Sequence, residues 1–228
     1  MGMHFSLIAA DASVDELRAA FSNTWPTYEV VATAGGFATS DAVTWWMDSH
    51  SEIVPPSDRT ADDPGTMTFA FWPDGDWAVL MDPSYALACD EEKLATLSRH
   101  VGTVLSFVVE SASGSASFCC YENGRMRREI IYSDGDVSHR GEPLPEEAGI
   151  DVDNFYMDET EALMAAFALS SAEDVPRPDG CQAICVVDHT DYSQLRSKPE
   201  PESAESIEDD AQDAAEPPKA KRPWWRFW

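Results

Sequence analysis

The chain has 228 residues, with 42 acidic residues against 15 lysines and arginines, and its net charge is −27 at neutral pH. This excess of negative charge argues against nucleic-acid binding, because contacts to phosphate groups need Lys and Arg. No apolar run approaches the roughly 20 residues of a membrane-spanning helix, and the N-terminus lacks the basic segment of a secretory signal.

The first predicted elements have the order strand, helix, strand. His4 to Ala10 has a strand pattern, and Ser13 with Glu16 matches the capping box that begins a helix. That helix is expected to end near Trp25-Pro26, where proline cannot continue it. Tyr28 to Ala34 alternates and contains β-branched residues, which predicts a second strand.

Residues 41–53 fit two periodicities. Val43 and Trp46 have helical spacing, whereas Val43 and Trp45 have strand spacing, and we interpret the segment as a strand. The polar stretch of residues 55–65 is rich in proline and aspartate, which predicts a loop. This loop is also a candidate sub-boundary within the folded body.

Three metal-ligand residue types alternate at the end of that segment. As strand residues, Asp48, His50 and Glu52 would share one face. They would be spaced about 6–7 Å apart along the strand, too far to close on one metal ion. A polar edge or loop is therefore the preferred interpretation.

The stretch from Asp76 to Gly141 has the clearest pattern. Asp90 is placed to cap a helix whose apolar stripe includes Leu94 and Leu97. Asn123-Gly124 predicts a hairpin, because a type I′ turn needs positive φ at both central residues, and Asp134-Gly135 repeats the signal. The strand patterns of this region are Trp77–Met81, Thr103–Glu110, Ser115–Tyr121 and Met126–Tyr132, and Thr66–Trp72 precedes them as the partner of Trp77–Met81 in a predicted hairpin.

The remaining elements complete a predicted α+β fold. Gly141–Pro145 should be extended, and residues 146–149 should form one helical turn. Asp158 with Glu161 offers a cap for a third helix, and Cys181 to Asp188 has the pattern of a final strand. We therefore predict a largely antiparallel sheet with about three helices.

The cysteines are typical of reduced core thiols. There are five, an odd number, and Cys119 and Cys120 are adjacent, so on a strand they point to opposite faces. Beside Cys181 and Cys185 the one candidate partner for zinc is His189, which is weak support for a metal site. The sequence therefore predicts no cofactor and no metal, and reduced thiols indicate the cytoplasm.

One basic cluster stands out in the body. Arg125, Arg127 and Arg128 follow the predicted Asn-Gly turn. On a regular strand Arg125 and Arg127 share a face and Arg128 takes the other. We interpret the cluster as ion pairs with surrounding acids; the alternative is a pocket for an anion or a carboxylate.

The composition changes near residue 197. Residues 197–228 hold eight of the acids and five of the bases, so the body, residues 1–196, keeps 34 acids, 10 bases and a net charge of −24. Residues 197–216 form an acidic linker that we expect to be disordered. Residues 217–228 reverse the charge and are a candidate docking tail for a partner protein or, less favoured, a membrane surface. The candidate binding residues of the tail are Lys219, Lys221, Arg222, Trp224, Trp225, Arg226, Phe227 and Trp228.

The stretch from residue 76 to residue 141 also resembles known domains. Trp77-Ala-Val-Leu, Phe118-Cys-Cys-Tyr121, Gly124-Arg125 and Gly141 are similar to uncharacterised bacterial α+β domains, some of them immunity-protein-like. The resemblance implies a bacterial cytoplasmic protein that binds another protein, and it carries over no catalytic residue.

Three functional hypotheses follow. The first is a non-enzymatic protein-binding module, of immunity type, whose acidic surface meets a basic partner. The second is an adaptor whose C-terminal tail docks on a partner or membrane. The third is an enzyme that uses acids on an open face of the sheet, although the sequence contains no specific catalytic motif.

Overall fold

A nine-stranded antiparallel sheet runs through the computed structural model, which describes residues 4–52, 54, 60, 64–171 and 175–191. The strand order is β2-β9-β3-β4-β1-β5-β6-β7-β8, and every neighbouring pair is antiparallel. The strands are β1 (His4–Ala10), β2 (Tyr28–Gly35), β3 (Met67–Asp74), β4 (Trp77–Met81), β5 (Thr103–Glu110), β6 (Ser115–Glu122), β7 (Arg125–Ser133), β8 (Asp136–Gly141) and β9 (Gln182–Asp188).

Helices cover both faces of this sheet. We call the face under α1 and α3 the first face and the face under α2 and α4 the second face. The α+β class and the antiparallel sheet are confirmed, but the described residues contain four α-helices in place of the expected three. The helices are α1 (Val14–Thr24), α2 (Ser40–His50), α3 (Glu91–Val101) and α4 (Met157–Ala166), with short 3-10 turns at Pro145–Glu147 and Val152–Asn154.

The first-face helices begin at the predicted caps. The amide of Glu16 donates to the Ser13 hydroxyl at 3.3 Å, and the amide of Ser13 donates to the Glu16 carboxylate at 2.8 Å. Hydrogen bonds from Ser13 lower the pKa of Glu16. Asp90 caps α3 by accepting from the amide of Lys93 at 3.0 Å. Both capping predictions are confirmed.

The interpretation of residues 41–53 as a strand is wrong. Residues 40–50 form α2, with Val43 and Met47 one turn apart and buried against the second face. Thr39 caps this helix by accepting from the amide of Ala42 at 3.2 Å. The helical period prevails because it places Trp46 with Val43 and Met47 against the second face, whereas Trp45, which a strand would add to that face, is 71% exposed.

Both faces of the sheet are packed with aromatic rings. On the first face the Phe21 ring lies 5.3 Å from Phe69. On the second face Phe107 lies 5.0 Å from Phe118. Each fully buried side chain of this size contributes about 1.5–3 kcal/mol through removal from water. Burial on both faces explains why β5 is hydrophobic along almost its whole length.

The N-terminal and C-terminal parts of the chain build the same sheet. β1 lies between β4 and β5, and β2 pairs with β9, so residues before position 55 and residues after position 65 share one core. No helix in the described part of the chain combines the length and the apolarity that crossing a lipid bilayer requires.

Candidate functional site

A stretch with one sign of charge covers part of the second face. Between Gly141 and Val175 the sequence contains no Lys, Arg or His. Seven carboxylates in residues 142–161 are exposed or half-buried there, and we call this set the acidic cover. Its members are Glu142, Glu146, Asp151, Asp153, Asp158, Glu159 and Glu161.

A buried ion pair fixes the start of this stretch to the sheet. The Arg128 guanidinium donates to both oxygens of Glu147, at 2.8 and 2.7 Å, and to the carbonyl of Gly141 at 3.2 Å. The side chains of Arg128 and Glu147 are only 2% and 4% exposed. The amide of Leu144 also donates to Glu147 at 2.8 Å. Glu147 is therefore neutralised and structural, whereas the acidic cover around it faces outward.

Backbone geometry at Gly141 sets the direction of the chain as it leaves β8. Gly141 has a φ of +85°, and a Cβ there would lie 2.0 Å from the carbonyl oxygen of Arg127. Only glycine fits both conditions. The rest of the stretch is held by the buried side chains of Phe155 and Leu163 and by packing of Tyr156 on Tyr132, whose ring centroids are 4.8 Å apart.

Helix α4 begins one residue before the predicted cap. The Glu159 carboxylate accepts from the amide of Tyr156 at 3.2 Å, so Tyr156 and not Asp158 precedes the helix. Asp158 lies in the first turn, where its negative charge is favourable beside the unpaired amides of the helix N-terminus. The predicted helical turn at residues 146–149 is a 3-10 turn over Pro145–Glu147.

The acidic cover is suited to attracting positive charge. Seven carboxylates without a base among them create a negative local potential, which raises the concentration of cationic partners near the surface. The anchoring to the sheet keeps these charges in fixed relative positions. Such a surface can bind a basic protein segment, with an affinity that falls as salt screens the charges.

The three body arginines do not alternate as expected. A bulge shifts the β6–β7 register so that Tyr121 pairs with Met126 and Cys120 with Arg128. Arg128 therefore points to the second face, where Cys120 also lies. Arg127 is the extra residue of the bulge, and it forms an ion pair of 2.7 Å with Glu122.

Arg125 is exposed beside this ion pair. It lines a depression of about 310 Å³ together with Glu122, Asn123 and Arg127. The sequence cluster thus separates into one buried arginine, one arginine paired at the surface and one that faces the depression.

A buried carboxyl with a raised pKa, that of Asp82, lies away from the acidic cover. Asp82 is fully buried and accepts hydrogen bonds from the amides of Ser84, Leu87 and Ala88 and from the Ser84 hydroxyl. Burial raises its pKa despite these bonds. Its partners are all in the loop that leads to α3, so Asp82 organises that loop.

The candidate metal residues are not brought together. Asp48 and His50 lie on α2, and Glu52 forms an isolated bridge with Thr66 beyond its end. Within the described ranges no three His, Cys, Asp or Glu side chains are arranged to hold a metal ion. His189 forms an ion-pair contact of 2.8 Å with Glu29 instead of approaching Cys181 or Cys185.

All five cysteines are free thiols, and four of them are buried. Cys119 and Cys120 belong to the first-face and second-face cores respectively, as the strand period predicts. Burial raises the pKa of Cys89, Cys120 and Cys181 to about 12. At neutral pH these thiols are protonated and poorly nucleophilic.

The predicted linker and docking tail lie outside the described residues, so their prediction stays untested. Trp45 lies on the outer side of α2. Its side chain is 71% exposed, the highest value among the exposed large hydrophobic side chains of the described residues. Sequence reasoning missed the acidic cover as a unit, although the 36 residues between Arg140 and Arg177 contain no basic side chain, and this run could have been found in the sequence.

No protein-family model, curated protein or solved structure matches the chain. The resemblance of residues 76–141 to immunity-protein-like domains therefore remains a prediction.

Proposed function

We propose that this protein is a non-enzymatic protein-binding module of the bacterial cytoplasm, of immunity type, whose acidic cover contacts a basic partner. The observation that carries this proposal is the acidic cover itself: seven exposed or half-buried carboxylates on a stretch without a base, anchored by the Arg128–Glu147 pair. Fixed charges of one sign accelerate encounter with a complementary surface and disfavour partners of like charge.

The second face also offers an aromatic side chain for such a contact. Trp45 on α2 is 71% exposed, and tryptophan is enriched among residues that dominate binding energy at protein interfaces. An exposed tryptophan on the same face as the acidic cover supports a protein partner over a small cation. Helix α2 packs on β3 and β9, and α4 packs on β5 and β6, so Trp45 and the acidic cover lie over different strands of that face.

The experiment compares capture of partners by two matched variants of the full chain. Both raise the net charge by the same amount, so bulk charge cannot explain a difference between them. The cover variant carries Glu142→Gln, Asp153→Asn and Asp158→Asn; the control variant carries Asp11→Asn, Asp15→Asn and Glu92→Gln, which are exposed positions on or beside α1 and α3.

Each variant and the wild type are immobilised and exposed to a bacterial lysate at low salt. We expect basic proteins that the wild type captures to be retained by the control variant and lost from the cover variant. Equal capture by both variants, or capture that is independent of the charge of the bound proteins, would contradict the proposal. Circular dichroism of the two variants verifies that both are folded.

A further inference from the structure

The bulge in the β6–β7 hairpin redirects an ion pair. Glu122 and Arg125 are directly opposite each other in the register, and opposite charges at such a position normally pair. Here Glu122 instead binds Arg127, at 2.7 Å. Bulges re-aim side chains in this way, and this one leaves the Arg125 guanidinium without a carboxylate partner among the described residues.

The backbone beside Arg125 is held in place by α3. The amide of Asn123 donates to the carbonyl of Gly102 at 2.9 Å, and the amide of Gly124 donates to the Ser98 hydroxyl at 2.8 Å. Arg125 follows this turn directly. The depression that it lines is therefore built on a fixed turn, which is a requirement for a selective site.

The depression has a net charge of +1, from two guanidinium groups and one carboxylate. We propose that it binds a single carboxylate group, with Arg125 as the principal donor and the side-chain amide of Asn123 as a second. A guanidinium matches a carboxylate with two parallel hydrogen bonds. Glu122 neutralises Arg127 and opposes additional negative charge, so a monoanionic carboxylate is preferred over a dianionic phosphate.

The proposed carboxylate site is separate from the acidic cover, and carboxylate binding there does not depend on the acidic cover. The two are neighbours, because Gly141, where the stretch of the acidic cover begins, approaches the carbonyl of Arg127. A carboxylate held by Arg125 lies at the border of the negative surface. If this carboxylate belongs to a basic partner, its contact with Arg125 would fix the orientation in which the partner binds, because Arg125 is a positive site at the edge of a negative surface.

The test titrates the isotope-labelled full chain and follows the amide resonances of residues 123–125. The probes are acetate, N-acetyl-dialanine, the C-terminal amide of the same dipeptide, and inorganic phosphate. We expect both carboxylates to bind and the amide to shift nothing. Tighter binding of the dipeptide than of acetate indicates a peptide terminus, and equal binding indicates a small acid.

Variants assign the binding to Arg125. Arg125→Gln should weaken carboxylate binding about tenfold, because it removes a charge-assisted bidentate contact. The matched control is Arg18→Gln. Like Arg125, Arg18 contacts no carboxylate among the described residues, but it lies outside the depression and donates to Gln182. This control should bind like the wild type.

A third variant moves the affinity in the opposite direction. Glu122→Gln removes the negative charge from the depression and releases Arg127, so carboxylates should bind severalfold tighter and phosphate should now bind. The proposal is overturned if Arg125→Gln binds as the wild type does, if the amide probe binds as well as the acid, or if wild-type protein prefers phosphate. Unchanged resonances outside the hairpin show that each variant is folded.

Discussion

Arg128 and Glu129 are adjacent buried residues whose side chains point to opposite faces of the sheet. Each of them is paired with a residue of opposite charge. Arg128 points to the second face and pairs with Glu147, while Glu129 points to the first face and pairs with Arg140 at 2.5 Å. Each buried charge in β7 has an opposite charge within hydrogen-bond distance. This explains how a hairpin rich in charged residues can lie within a packed sheet.

Truncation of one member of the Arg128–Glu147 pair should be strongly destabilising. Glu147→Ala leaves the Arg128 charge buried without a partner, at an expected cost of about 3–5 kcal/mol in the free energy of unfolding. The double variant Arg128→Met/Glu147→Leu should cost much less, because no charge remains buried. Urea denaturation of the two variants measures this; equal losses would show that the pair itself and not the orphaned charge is important.

Asp82 should give the stability a specific pH dependence. Burial raises its pKa in the folded protein above the unfolded value, so the folded state holds the proton more tightly. The contribution of Asp82 is fully present below the unfolded pKa and is lost as pH rises through the folded pKa. Subtracting the stability of Asp82→Asn from that of the wild type isolates this effect from the other carboxylates.

The difference between wild type and Asp82→Asn should therefore be largest in acid and decrease as pH rises from about 4. Urea unfolding at a series of pH values is the measurement. The asparagine variant has its own cost at every pH, because its NH₂ group faces either the amide of Ser84 or the amides of Leu87 and Ala88 and cannot accept from them. A difference that grows with pH would refute the assignment of a raised pKa.

At the scale of single residues the sequence could predict the caps but not the fate of the arginines. Ser13, Glu16 and Asp90 act within three residues of themselves, so local spacing is sufficient. The burial of Arg128 depends on the bulge and on Glu147, 19 residues away. Neither is visible from the alternation of a regular strand.

Among the elements, the turn from β8 into the acidic cover has the strictest backbone requirement. Gly141→Ala should destabilise the protein by several kcal/mol more than Gly149→Ala. Both glycines have φ near +85°, so both substitutions introduce the roughly 1–2 kcal/mol strain of a left-handed backbone. Only at Gly141 does the added Cβ meet a backbone oxygen, at 2.0 Å, whereas nothing lies within 4 Å at Gly149.

Thermal or urea unfolding of the two alanine variants measures the difference. Backbone atoms of Arg127 cannot move away without disturbing the β7–β8 pairing, so relaxation should be limited. Equal stability of the two variants would indicate that the turn adapts and that the acidic cover is less firmly fixed than its contacts imply.

Helices and strands were predictable where one period was clear. The Asn123-Gly124 and Asp134-Gly135 turns, with positive φ at all four residues, defined the hairpins of β6, β7 and β8. Helix α2 was missed because its few apolar residues fit both periods. The Thr39 cap, which the structure shows, was the local signal that could have decided for a helix.

The whole molecule depends on pairings that no local pattern contains. β1 is the central strand although it is first in the chain, and β9 inserts between β2 and β3. The pairs of β9 join residues more than 100 positions apart, for example Tyr28 with Asp188. The sequence predicted the class of fold, but the sheet order and the face on which the acidic cover lies needed the structure.

At this scale the net charge becomes informative only once its placement is known. A charge of −24 spread evenly over the body would indicate little beyond solubility. Seven carboxylates on one base-free, anchored stretch, with Trp45 exposed on the same face, are the placement on which the proposed partner surface rests.

The most direct test of that surface is the salt dependence of binding to a partner captured by the wild type. The dissociation constant is measured for wild type, cover variant and control variant at about 50 and 500 mM salt, where the screening length falls severalfold. We expect weak binding at high salt for all three, and at low salt a loss of affinity in the cover variant alone. An affinity that is indifferent to salt, or an equal loss in the control variant, would contradict the account.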